Sequence, residues 1–191
     1  MGAMIPPRPT EVAWMILRQA IRPGDLVIDA TAGNGHDTVF LAECVGENGR
    51  VLAFDIQETA IRSAGVRVGD AGYAERVEFH QCSHTAMGEF AAAASVSAIM
   101  FNLGYLPGED HERTTIAHET LAALAVAADL LKPSGSLSVV CYPGHPAGAE
   151  EAAAVEAWMA SLTHQGWRLA RYAMMGTLRP APFLLAGGKP C

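Results

Sequence analysis

The sequence predicts an α/β fold: one doubly wound, Rossmann-like sheet of about seven strands, the last of them antiparallel. Three observations carry this. Short apolar runs alternate with helical stretches along the chain, the pattern of parallel strands joined by helical crossovers. The run VSAIMFN (96–102) is apolar at nearly every position, as a strand covered on both faces must be. Finally, the interval between WRLARYAMM (167–175) and PFLLAG (182–187) is too short for a helical crossover, so that pair runs antiparallel.

Thr10 stands where a side-chain oxygen would cap a first helix, EVAWMILRQAI, in which Val12, Ile16 and Leu17 recur at helical spacing. The helix is expected over 10–22 and ends at Arg22-Pro23-Gly24-Asp25, because proline cannot continue the ladder. LVIDAT (26–31) is the first strand, TVFLAECV (38–45) the first crossover helix, and GENG (46–49) a turn into the strand RVLAFD (50–55). A helix over 57–69, a strand at RVEFH (76–80) and a helix around 84–94 lead to VSAIMFN. The alanine-rich stretch 113–131 reads as a helix closed by Lys132-Pro133-Ser134-Gly135. SLSVVCY (136–142) is the next strand, followed by a helix over 148–164 capped by the glycines before it. No repeat or long linker interrupts the order, and residues 1–191 are expected to form a single domain.

Half of the residues are hydrophobic and 17% are charged, the profile of a folded globular protein. No apolar run approaches the roughly 20 residues of a membrane helix, and MGAMIPPRPT has no signal pattern. The four cysteines (Cys44, Cys82, Cys141, Cys191) are scattered, which favours reduced thiols and a cytoplasmic location. Only His80 and His84 have close helical spacing, with a strand end between them, so no metal site is expected. A net charge of −7 argues against non-specific coating of nucleic acid. It leaves room for local patches, such as Arg168, Arg171 and Arg179 or Arg8, Arg18 and Arg22. The apolar first helix, with Trp14 and Met15, packs on its own sheet or against a second subunit, and a homodimer is the expectation.

In doubly wound sheets the ligand lies outside the carboxyl ends of the strands, at the switch in strand order. DATAGNGHDT (29–38) occupies such an end. Gly33 and Gly35 allow a turn with positive φ and close approach of a ligand, and the helix that follows offers unpaired N–H groups. Asp55 ends the second strand, 22 residues after Gly33, where a carboxylate accepts both hydroxyls of a ribose. Together they point to a nucleoside. A dinucleotide site would have G-x-G-x-x-G, but threonine (Thr38) stands in the third glycine's place. Asp29 instead suits a cofactor with an ammonium group, as in S-adenosyl-L-methionine, reached directly or through water. The plainer reading of Asp29 is a strand-end turn residue. Ser83, in Gln81-Cys82-Ser83-His84, either meets the adenine edge or caps a helix. Asn102, in FNLGYLPG (101–108), either faces the reaction or satisfies a local turn.

DATAGNGHDTVFLAE, FDIQ (54–57), MFNLGYLPG (100–108) and GHPAGAEE (144–151), in this order, resemble the small bacterial family of rRNA methylases. That family includes the MnmM (YtqB) type of tRNA methyltransferase. The resemblance implies a class I methyltransferase fold and transfer of a methyl group from S-adenosyl-L-methionine to the aminomethyl nitrogen of a tRNA wobble uridine. It further implies a cofactor loop formed by Asp29, Gly33, Asn34, Gly35, His36 and Asp37, with Asp55 on the ribose and Gln57, Ser83 and His84 nearby. Asn102, Leu103 and Gly104 would face the methyl group, with Asn102 and Tyr105 as the catalytic pair. The implied partner is a tRNA anticodon loop, whose single-stranded bases are open to stacking by Tyr105 or Tyr142. The chain departs from the family pattern at Pro143-Gly144-His145, where the family has His-Gly-His, at His111, near a family lysine, and at RPAPF (179–183).

Three other readings remain at this stage. One is methylation of rRNA or of a small-molecule amine. Another is an NAD-dependent oxidoreductase, against which stand Thr38 and the lack of a clear Tyr-Lys or His-Asp pair. The last is a non-catalytic nucleoside-binding module, which would have no use for Asn102 at its strand end.

Overall fold

The computed structural model describes residues 5–104 and 117–191. Its elements are α1 (Pro9–Ala20), β1 (Leu26–Asp29), α2 (His36–Val45), β2 (Arg50–Phe54), α3 (Glu58–Asp70), β3 (Val77–His80), β4 (Val96–Leu103), α4 (Ala117–Leu130), β5 (Leu131–Cys141), α5 (Pro146–Ser161), β6 (Arg168–Ala173) and β7 (Phe183–Gly188). The seven strands form one sheet in the order β3-β2-β1-β4-β5-β7-β6. Strands β1 to β5 pair in parallel, and β7 lies antiparallel to both β5 and β6. The chain direction switches between β1 and β4, which opens a crevice at their carboxyl ends.

Successive strand residues face opposite sides of a sheet, and β1 divides the core accordingly. Val27 joins Ala13 and Leu17 of α1 and Phe40 and Leu41 of α2 on one face. Ile28 joins Leu124 of α4 and Val155 of α5 on the other. Among the described residues no helix is long and apolar enough to cross a membrane.

Several local expectations are corrected. Thr10 lies inside α1; Pro9 opens the helix at no hydrogen-bond cost, and the Arg8 N–H donates to Glu11 Oε2 at 2.7 Å. The helix expected at 84–94 is a short 3-10 turn, His84–Glu89, in which Met87 is the one large fully buried anchor before a run of alanines. Strand β5 starts five residues early. Leu131 pairs with Val96 and Ser136 with Ala98, so Lys132-Pro133-Ser134-Gly135 bulges out of the ladder, with Ser134 at φ +62°. Helix α5 is capped by His145, whose Nδ1 accepts from the Gly148 N–H at 3.0 Å, and not by a glycine. Residues 113–116 of the expected fourth helix lie outside the described residues.

Candidate active site

Strand β1 delivers Asp29 to the crevice fully buried, at 0% exposure. Its Oδ2 accepts the Thr38 hydroxyl at 2.6 Å and its Oδ1 the Thr31 N–H at 3.2 Å. Thr38 is therefore no defect in a glycine motif: its hydroxyl ties the first turn of α2 back to the end of β1. The loop between them is held from three sides. Ala32 N–H donates to the Phe54 carbonyl at 2.8 Å, and the Gly33 N–H to Asp55 Oδ2 at 2.9 Å. From α3, Arg67 Nε donates to the Asn34 carbonyl at 2.6 Å and the Ser63 hydroxyl to Asn34 Oδ1 at 3.3 Å. Asp55 Oδ1 accepts the Gln57 N–H at 2.9 Å, so this half-buried carboxylate joins the loops after β1 and β2.

Gly33 (φ +49°) and Gly35 (φ +77°) both use backbone open to glycine. At Gly35 the reason differs from the ligand approach expected. A Cβ there would lie 2.7 Å from Ala64 Cα, so the glycine lets α3 press against the loop. Gly35→Ala is expected to destabilise the fold by about 2–3 kcal/mol, through left-handed strain and backbone overpacking. A urea denaturation midpoint equal to that of the wild type would contradict this.

Asp37 turns inward, at 7% exposure. Trp14 Nε1–H of α1 donates to its Oδ1 at 2.7 Å, and Asn102 Nδ2–H of β4 to its Oδ2 at 3.0 Å. The Asn102 N–H donates to Thr31 Oγ1 at 2.7 Å. One polar network thus joins α1, the loop, α2 and β4. Burial pushes the Asp29 carboxyl up to about 7, with the Asp37 charge adding to it against the Thr38 and Thr31 donors. Burial also raises Asp37, opposed by the Asn102 amide, the Trp14 indole and His36. Both carboxyls are thus harder to ionise than a free one, burial being the largest cause in each.

The other sequence-predicted residues divide. His84 is 8% exposed, packs edge-on against Phe101 at 5.6 Å, and is held neutral by burial, against its bond to the Ala30 backbone and the Glu119 and Asp55 charges. Ser83 takes the plainer of its two readings: its Oγ accepts the Thr85 N–H at 3.3 Å as a cap. Leu103 is buried, and a Cβ on Gly104 would stand 3.3 Å from the Tyr142 ring. His36 is exposed and lines an outer groove of about 880 Å³ with Trp14, Arg18 and Arg67. Tyr105 and His111 lie outside the described residues. Sequence reasoning missed Trp14 and Thr31 as parts of the site. No local pattern marks Trp14, which meets Asp37 across 23 residues.

A family model described as "Putative rRNA methylase" matches residues 51–187. The chain belongs to this family. Against a tRNA (mnm5s2U34)-methyltransferase, chloroplastic, of Arabidopsis thaliana it is 41% identical over 186 residues, which are 92% of this chain and 67% of that protein. The crystal structure of a "putative rRNA-methylase" from Clostridium thermocellum superposes with a TM-score of 0.93 at 34% identity, covering 97% of this chain and 100% of that one. SMU.1697c from Streptococcus mutans, in complex with SAH, superposes at 0.87 and 29% identity, covering 97% and 99%. This member of the rRNA methylase family is an S-adenosyl-L-methionine-dependent methyltransferase with the class I fold.

The residues present fit that cofactor. Gln57 Oε1, His84 Nε2 and Asn102 Oδ1 are buried without a hydrogen-bond partner among the described residues. Gln57 and His84 stand beyond β2 and β3, and Asn102 near the end of β4, the side on which ligands bind in this fold. Buried polar atoms are normally satisfied, so Gln57 Oε1 and His84 Nε2 mark a place for a polar ligand. Asp55 retains free lone pairs beside them for ribose hydroxyls.

Proposed function

We propose that the chain methylates the aminomethyl nitrogen of 5-aminomethyl-2-thiouridine at the wobble position of tRNA, taking the base from the single-stranded anticodon loop. The observation that carries this is Asn102: its Nδ2 donates to Asp37, while its Oδ1, near the end of β4, is buried and without a partner among the described residues. A carbonyl oxygen so placed suits an acceptor that brings hydrogens, as a primary amine does. The substrate named for the Arabidopsis relative supports the choice of amine.

Bound S-adenosyl-L-methionine supplies an electrophilic methyl group on a sulfonium. The chain's own contribution is binding and alignment. Asp55 would accept the ribose hydroxyls, and Gln57 Oε1 and His84 Nε2 would offer polar contacts at the rim. Asn102 Oδ1 accepts an amine hydrogen and so turns the nitrogen lone pair to the transfer axis, which is where most of the rate gain in such a displacement arises. It also faces the positive charge that grows on nitrogen, with the Asp37 carboxyl group behind it. An amine that arrives neutral needs no strong base. His145 is already engaged as the α5 cap.

Nucleosides from the tRNA of cells lacking the protein, resolved by mass spectrometry, test the reading. Accumulated 5-aminomethyl-2-thiouridine is the expected result, and an unchanged profile rules the substrate out.

A further inference from the structure

Asn102 has a side-chain amide whose two ends are nearly the same shape and opposite in function. With Oδ1 toward the acceptor it receives an amine hydrogen; with NH₂ there it competes with the amine and offers no lone pair. An amide with no fixed neighbour would adopt either pose. Here the neighbour is Asp37, whose two carboxyl oxygens each accept an N–H, Oδ1 from Trp14 and Oδ2 from Asn102. It takes the Nδ2–H at 3.0 Å and thereby forces Oδ1 to the opposite side. Tyr142 lies beside the same amide, which opposes the burial and the nearby Asp37 that raise its phenol. Asp37 is in turn held by the Trp14 indole N–H on its other oxygen at 2.7 Å, and Trp14 is stacked on Phe40 of α2 with centroids 5.0 Å apart and planes 7° from parallel.

We propose that Asp37 and Trp14 are positioning residues that set the amide of Asn102, so that its carbonyl and not its NH₂ faces the methyl acceptor. This rests on the reading of Asn102 as the group that receives the acceptor amine. It gives α1, which precedes the first strand of the sheet, a direct part in the reaction. Docking of that helix on α2 locks the carboxylate that locks the amide.

An exchange of the two groups tests the arrangement. In Asp37→Asn, the new amide gives its oxygen to the Trp14 N–H and its NH₂ to Asn102, which must flip and present its own NH₂ to the acceptor. Asn102→Asp alone sets two carboxylates face to face. In D37N/N102D the donor and acceptor are interchanged, and a carboxylate oxygen again meets the amine. Methyl transfer to tRNA carrying 5-aminomethyl-2-thiouridine is expected to fall about 100-fold in each single variant. In the double variant it should return to within about 10-fold of the wild type, a coupling that two independent losses would not show. S-adenosyl-L-methionine affinity by calorimetry should stay within about threefold throughout. Trp14→Phe keeps the stack on Phe40 and removes only the N–H; its turnover should fall about 10-fold at unchanged cofactor affinity.

A double variant no better than either single variant, or an Asp37→Asn variant with full turnover, overturns the proposal. Nitrogen-15 spectra of the Asn102 NH₂ and Trp14 indole supply a readout that needs no substrate: both lose their charge-assisted downfield shift in Asp37→Asn, and unmoved signals also overturn it. A wild-type protein inactive on this tRNA would instead defeat the substrate reading, with the amide signals still deciding the clamp.

Discussion

Asn102→Ala is expected to cut turnover by about 100- to 1,000-fold while leaving S-adenosyl-L-methionine affinity within about threefold. The separation follows from which atoms the substitution removes. Alanine keeps the backbone N–H that donates to Thr31 Oγ1, so the end of β4 stays tied to the cofactor loop. The contacts that shape the loop itself, Gly33 to Asp55 and Thr38 to Asp29, do not involve residue 102. What disappears is Oδ1, the acceptor assigned to the amine, together with the Nδ2 donor to Asp37. Losing that donor leaves a buried carboxylate oxygen unpaired, which costs about 1–3 kcal/mol of stability. A melting curve must therefore accompany the kinetics, and single-turnover rates at saturating cofactor are the proper measure. Full activity in a folded Asn102→Ala protein would remove the role given to this residue and leave the transfer to alignment by the pocket alone.

The strands were legible because burial on two faces writes a continuous apolar run, as in VSAIMFN, and the antiparallel end followed from a connection too short to cross over. The position of β7 was not legible. Nothing local in PFLLAG says that it inserts between β5 and β6. Around the loop, residue type pointed to the right place for reasons that were only partly right. Gly35 is glycine because α3 presses on it, and Thr38 is threonine because Asp29 needs a donor. Both causes are contacts between segments far apart in the fold, which a motif compresses into a spacing. The same holds for Asp37. It was picked out as a loop acid, yet its partners, Trp14 and Asn102, lie 23 and 65 residues away.

Asp29→Asn should stabilise the protein at pH 8 and weakly destabilise it at pH 4 and below. Below about pH 3 the Asp29 carboxyl is protonated in folded and unfolded chains alike and contributes no difference. Between its ordinary value of 3.8 and the folded value of about 7, the unfolded chain releases the proton while the buried group keeps it, and native stability falls as the pH rises. Above that the loss is complete, at most about 4 kcal/mol at 1.36 kcal/mol per unit. Asparagine cannot ionise and escapes this loss. It keeps an acceptor for the Thr38 hydroxyl but turns an NH₂ toward the Thr31 N–H, forfeiting a 3.2 Å bond worth about 1 kcal/mol. The urea stability curves of the two proteins should therefore cross between about pH 4 and pH 5, and parallel curves would show that Asp29 is ionised throughout. The same ionisation reaches the cofactor. A cofactor ammonium group beside this carboxylate draws the proton off on binding, so wild-type affinity for S-adenosyl-L-methionine should climb as the pH rises toward 7 and level off above it, while that of Asp29→Asn stays flat. The stability curve and the affinity curve are set by one proton, so their midpoints must be linked: the cofactor lowers the folded value of Asp29 by the amount that its affinity gains.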